Sequence, residues 1–127
     1  MDDMGTFRTT VTIENSERRG LMRELAGTLV DSGSEFTWIP RVVLEALGIA
    51  PVRTQRFVVA DGRVIVRDIG FAIVHAGGTM APDLVVFAEE GDMVLLGAHS
   101  LEGLNMHIDP VHKRLVPAGP IVTGFAA

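Results

Sequence analysis

The chain has 127 residues, 47% of them hydrophobic, and a formal net charge of −5. That is enough for one domain with its own core and too apolar for a disordered chain. There is no cysteine, which excludes disulfide frameworks, thiol nucleophiles and cysteine-type zinc sites.

The start, Met1-Asp2-Asp3-Met4, is acidic and has no apolar stretch behind a basic start, so no signal peptide is expected. Thr6 to Glu14 (TFRTTVTIE) is rich in Thr, Val and Ile and reads as a strand. Asn15 to Gly20 reads as a turn. Leu21 to Val30 has a helix-like first half, but Gly27 and Thr28 oppose a helix, and a strand running into Asp31-Ser32-Gly33 fits better.

Pro40 to Leu47 (PRVVLEAL) is the clearest helix, with Pro at a first-turn position and Val43, Leu44 and Leu47 on one face. Gly48 is its expected stop. Arg56 to Ala60 and Arg63 to Val66 read as strands joined by an Asp61-Gly62 hairpin turn. Phe71 to Ala76 and Thr79 to Ala88 flank Gly77-Gly78, a second hairpin. Met93 to Leu96 is a short buried strand ending at Gly97.

Ser100 to Leu104 reads as one or two helical turns with Ser100 as N-cap. Met106 to Ile108 and Arg114 to Val116 flank a turn at Asp109-Pro110-Val111-His112-Lys113, and prolines break up the tail. The expected class is mainly β with one or two short helices, a barrel or sandwich in one domain over residues 1–127. An internal two-fold is hinted at. An apolar strand enters a glycine at LVDSG and again at VLLG, each followed by helix-like sequence.

Other chemistries find little support. No phosphate loop or Gly-x-Ser-x-Gly elbow occurs. His107, Asp109 and His112 read as a polar turn rather than a metal site, and no metal or other cofactor is expected. Glu89-Glu90-Gly91-Asp92 reads as an acidic, solvated loop. Without a cluster of Lys and Arg, nucleic acid is not an expected partner. No apolar run approaches the roughly 18 residues of a membrane span. The expectation is a soluble cytoplasmic protein without a membrane partner.

Asp31-Ser32-Gly33 taken alone suits an ordinary turn, where Asp and Ser bond the local backbone. Its company changes the weighting. LVDSGS at 29–34 is followed by the helix-like PRVVLEALGI, then by VADGR at 59–63, then by VLLGAHSLEGLNMHIDPVHKRLVP at 94–117. In this order and separation the segments resemble the retropepsin-like aspartic proteases, in the bacterial single-domain branch, across nearly the whole chain.

The resemblance implies a closed β-barrel protomer that works as a two-fold homodimer on a polypeptide substrate. Asp31 is then catalytic, one from each chain, because paired carboxylates are needed and one chain supplies a single Asp-Ser-Gly. Ser32, Gly33 and Ser34 support the loop: Ser32 at the dimer axis, Gly33 through its N–H, and Ser34 by donating to Asp31. Val59, Ala60, Asp61 and Gly62 form a flap, with Val64 adding apolar contact. Glu35 and Phe36 touch substrate, and Trp38 and Ile39 line a side-chain pocket. Leu95, Leu96 and Gly97 thread beneath the active-site loop.

The sequence departs from the family's retroviral members after Gly97. There Ala98 and His99 follow, where those enzymes have an arginine that pairs with an acid near the loop. Two alternatives stay open: the same dimeric fold holding peptides, or serving assembly, without cutting, and a structural barrel in which DSGS is only a turn.

Overall fold

The structure is a computed structural model that describes residues 6–124. The acidic start and the last three residues of the tail, discussed above, lie outside the described residues. The chain is mainly β with two short helices. Its elements run β1 (Thr6–Glu14), β2 (Met22–Asp31), β3 (Thr37–Pro40), α1 (Arg41–Ala46), β4 (Arg53–Val58), β5 (Val64–Ala76), β6 (Thr79–Ala88), β7 (Leu95–Leu96), α2 (Ala98–Gly103), β8 (Met106–Asp109) and β9 (Arg114–Pro117). Among the described residues, no helix is long and apolar enough to cross a membrane.

Seven strands form one sheet in the order β1-β2-β7-β3-β6-β5-β4, and β1 also pairs with β5 through Thr12↔His75 to Glu14↔Ile73. β8 and β9 form a separate two-stranded sheet. Two pairings are parallel, β2 with β7 and β3 with β6. They bring β7 between the strands on either side of the 32–36 loop: Leu29 and Val30 pair with Leu95 and Leu96, and Trp38 pairs with Leu95 on the other side.

The core follows from alternation. Val11 and Ile13 of β1, Val30 of β2, Ile39 of β3, Val74 of β5, Phe87 of β6 and Leu96 of β7 are completely buried. Each such side chain contributes roughly 1.5–3 kcal/mol of hydrophobic stabilisation. α1 covers the core with Val43 and Leu44, and Leu47 just past its end is buried too. Gly48 ends the turn in the left-handed region at φ 71°.

Several sequence expectations need correction. Pro40 is the N-cap of α1 rather than a first-turn residue. The run expected to stop at Val66 continues to Ala76 as a single strand, and its partner β4 begins at Arg53 and ends at Val58. Gly70 does not break β5. A Cβ there would lie 2.9 Å from the Ala50 carbonyl oxygen and 3.0 Å from the Phe87 ring, so glycine permits a close approach at this point. In β2, Ala26 and Gly27 stand opposite the single residue Thr10, so the strand survives Gly27 as a bulge. Ser100 is not a cap, because α2 starts at Ala98 with Gly97 as its N-cap.

At one end of β1 lies a buried carboxylate. Glu14 Oε2 accepts hydrogen bonds from the Gly20 N–H at 2.7 Å and from Arg19 Nε at 3.0 Å, and Oε1 shares one with His75 Nε2 at 2.8 Å. The Gly20 amide first, then His75 and Arg19, pull its pKa from 4.5 down to about 2. A depressed carboxylate supplies stability above its unfolded pKa and loses it as pH falls toward the folded value. Acid unfolding should therefore draw on Glu14 between 4.5 and about 2. Glu14→Gln should lower the melting temperature near neutrality and flatten its fall over that acid window; a melting curve with the wild-type acid slope would refute this role.

Candidate active site

β2 ends at Asp31, and residues 32–36 form an irregular loop before β3. A loop with no ladder of its own must find partners for its carbonyls. They come from the start of α2, more than sixty residues later. The Ala98 N–H donates to the Ser34 carbonyl at 2.7 Å and the His99 N–H to the Glu35 carbonyl at 2.9 Å. The Gly97 N–H donates to Thr37 Oγ1 at 3.0 Å. Three consecutive amides thus hold three points of the loop and its exit.

Gly97 is required by space. A Cβ there would stand 2.3 Å from the Phe36 carbonyl oxygen and 2.8 Å from that of Ser34. Leu95 and Leu96 pair with the strands on either side of the loop, and Gly97 runs against it.

Asp31 is half-buried. Its Oδ1 accepts the Gly33 N–H at 2.9 Å, and its carbonyl accepts the Ser34 N–H at 3.2 Å. Gly33 serves by close approach rather than by a left-handed turn: a Cβ would come within 3.1 Å of Asp31 Oδ1. Ser32 is exposed. Ser34 departs from its expected role. Its hydroxyl donates to the Phe36 carbonyl at 3.1 Å and not to Asp31. Among the described residues, no hydrogen bond or ion pair joins Asp31 to another carboxylate within the chain.

Beside the loop rises the β4–β5 hairpin. Val58 pairs with Val64, so the connection spans residues 59–63, wider than a two-residue Asp-Gly turn. The Val59 N–H donates to the Arg63 carbonyl at 2.9 Å, and the Gly62 N–H to the Val59 carbonyl at 2.8 Å. Asp61 accepts from the Arg63 N–H and from Arg63 Nε, and these bonds, the backbone one first, hold its carboxyl below the usual range.

Two adjoining clefts lie between hairpin and loop. One, about 630 Å³, is walled by Gly33, Ser34, Glu35, Phe36, Trp38 and residues 55–60. The other, about 350 Å³, shares Ser34, Trp38, Val59 and Ala60 and adds Arg63, Gly91, Asp92, Met93 and Leu95. Alternation explains the inner face of β4: Phe57 turns inward while Arg56 and Val58 are exposed. The Phe57 ring lies 5.0 Å from Trp38 and meets Phe36 edge-on at 5.8 Å.

Of the residues expected at a flap, Val59 and Ala60 line both clefts, while Asp61 and Gly62 make the tip and line neither. Val64 lies outside both clefts and is half exposed. Ile39 is completely buried in the core, so it lines no pocket. Glu35 and Phe36 do line the larger cleft.

Sequence reasoning missed Phe57, Met93 and Asp92. Phe57 was legible in principle, as the apolar residue in an alternating Arg-Phe-Val run. Asp92 is not a solvated loop residue. Its carboxylate takes both arms of the Arg67 guanidinium, at 2.6 and 2.9 Å, which lowers its pKa, and it also accepts the Glu89 N–H. That pair fixes the loop carrying Met93. Among the described residues no group of acids and histidines could hold a metal ion. His112 instead bonds Asp109 at 2.8 Å within the β8–β9 turn.

The chain matches no family model and no curated relative.

Two outcomes follow from the geometry. Gly97→Ala must displace loop backbone and should destabilise the protein by about 2 kcal/mol or more, read as a denaturation midpoint; a midpoint near wild type would contradict the close approach. Trp38 is the chain's one tryptophan, so its fluorescence reports on the cleft. Phe57→Ala should shift its emission to longer wavelength as water reaches the indole, and an unchanged spectrum would show that Phe57 does not cover it.

Proposed function

We propose that this chain is the protomer of a retropepsin-like aspartic endopeptidase that cleaves polypeptides as a two-fold homodimer. One observation carries the reading: Asp31 ends a strand on a loop held by the successive amides of Gly97, Ala98 and His99, and residues 33–36 of that loop wall a cleft beneath a β-hairpin. The β1–β5 pairing, which returns the strand order on itself, supports a closed barrel. The working place of the enzyme in this reading is the cytoplasm.

The chemistry requires the second copy. Peptide hydrolysis by this route needs one carboxylate to take a proton from water and another to protonate the carbonyl oxygen or the leaving amine. A chain with one such aspartate supplies half of that pair. At a two-fold axis every contact is made twice, so two Asp31 groups face one water. Like charges so close cannot both ionise, and the pair shares a proton and titrates as a unit. The exposed Ser32 and Gly33 leave that side of the loop open to a partner.

Substrate then lies extended between Val59-Ala60 and the loop, with side chains reaching Phe36, Trp38 and Phe57. Main-chain bonding to a strand-like peptide supplies affinity, and the aromatic walls supply the apolar contact. Closure of the hairpin excludes water from the cut bond.

Incubation with a mixed peptide library from acidic to neutral pH tests the reading. The wild type should cleave, and Asp31→Asn should lose at least about a hundredfold in rate. Activity per chain should rise with protein concentration as dimers form. Cleavage that survives Asp31→Asn would remove the aspartic mechanism. Binding without cleavage would favour the silent peptide-binding module instead.

A further inference from the structure

We infer that Asp83 is a positioning residue for the Asp31 loop, acting through a buried chain of two hydroxyls, Ser100 and Thr37. The inference rests on the protease reading for its catalytic consequence but has a structural readout of its own.

Asp83 of β6 is a buried carboxylate to which the site described above gives no role. Its Oδ1 accepts the Leu84 N–H at 2.7 Å and faces His99 Nδ1 at 2.8 Å. Its Oδ2 accepts the Ser100 hydroxyl at 2.6 Å. Ser100 Oγ and Thr37 Oγ1 lie 2.5 Å apart, and Thr37 Oγ1 accepts the Gly97 N–H at 3.0 Å. Ser100 and Thr37 are 1% and 0% exposed, so no water competes for these bonds.

The proton directions follow from the two ends. A carboxylate only accepts, so the Ser100 hydrogen points to Asp83. Ser100 Oγ then accepts, and the Thr37 hydrogen points to Ser100. Thr37 presents a lone pair to the Gly97 N–H. The series runs Gly97 N–H to Thr37 to Ser100 to Asp83, with every hydrogen aimed at the charge, and aligned bonds of this kind polarise one another. Its far end is the first of the three amides that hold the loop. Removing the charge frees the hydroxyls to turn, and Gly97 loses its fixed acceptor. The His99 ring, 6.3 Å from Phe36, ties the same carboxylate to the cleft wall.

Thr37→Val keeps the shape of the side chain and removes the acceptor; Asp83→Asn keeps the shape and removes the charge. Residue-resolved amide exchange on the folded chain should speed up at Gly97, Ala98 and His99 by about tenfold in both variants. Amides of Ile13 and Val74 should exchange as in wild type, and Thr37→Ser should restore protection. In peptide cleavage, kcat per active site, counted by titration so that unfolded chain does not contribute, should fall by about tenfold with KM within about twofold. Should Thr37→Val fail to fold, Ser100→Ala interrupts the same series and gives the same readout.

Unchanged exchange at the three amides, or an equal rise at Ile13 and Val74, overturns the inference. A wild type that cleaves no peptide removes the protease reading, and the exchange result then decides the positioning role alone.

Discussion

The contact between Gly97 and the backbone of Ser34 and Phe36 is the constraint on which the rest of the site depends. A glycine lets two backbones meet at a distance no side chain permits. Once they meet, the amides of residues 97–99 fall opposite the acceptors of residues 34–37. Each of those bonds contributes only about 1 kcal/mol net, yet an orphaned buried carbonyl would cost as much or more. The loop is thus held by the need to satisfy its own polar groups. Asp31, three residues before Ser34 and bonded through its carbonyl to the Ser34 N–H, inherits that order.

The sheet topology delivers this meeting. β7 is two residues long, too short to be stable alone. Its parallel pairing with β2 and antiparallel pairing with β3 place it in the gap that the loop leaves open. The Arg67–Asp92 pair steadies the approach to it, and α2 leaves it with its first amides already directed at the loop. Above, Phe57 packs on Trp38 and Phe36, so the hairpin and the floor share one aromatic wall. Roof, wall and support are consequently not independent, and a change in one is felt in the others.

Local pattern made much of this visible. Composition rich in Thr, Val and Ile marked β1; Gly27 and Thr28 marked β2 as a strand; Gly77-Gly78 marked the hairpin that leads into β6; the LVDSG and VLLG segments showed the same apolar run into a glycine. What stayed hidden depends on partners distant in sequence. The runs ending at Val66 and starting at Phe71 join into one strand through Gly70, which lies against Ala50 and Phe87. Ser100 has the composition of a helix cap, and its bond to Asp83 is made across elements. Ser34 sits near enough to bond Asp31, but the Phe36 carbonyl, two residues on, is the partner it takes. Asp92 looks solvated among glutamates until Arg67 reaches it from β5. A paired charge and a solvated one are spelled alike.

Thr37 and Gly97 are 60 residues apart in the chain. During synthesis, the Asp31 loop leaves the ribosome well before the residues that grip it. Contacts of such long range form late and slow the folding of small β proteins. The hairpin and β1–β2 can assemble first, around a loop whose carbonyls still face water. A nascent or truncated chain therefore carries an unshaped Asp31 segment, and the order of translation itself delays the appearance of a finished site.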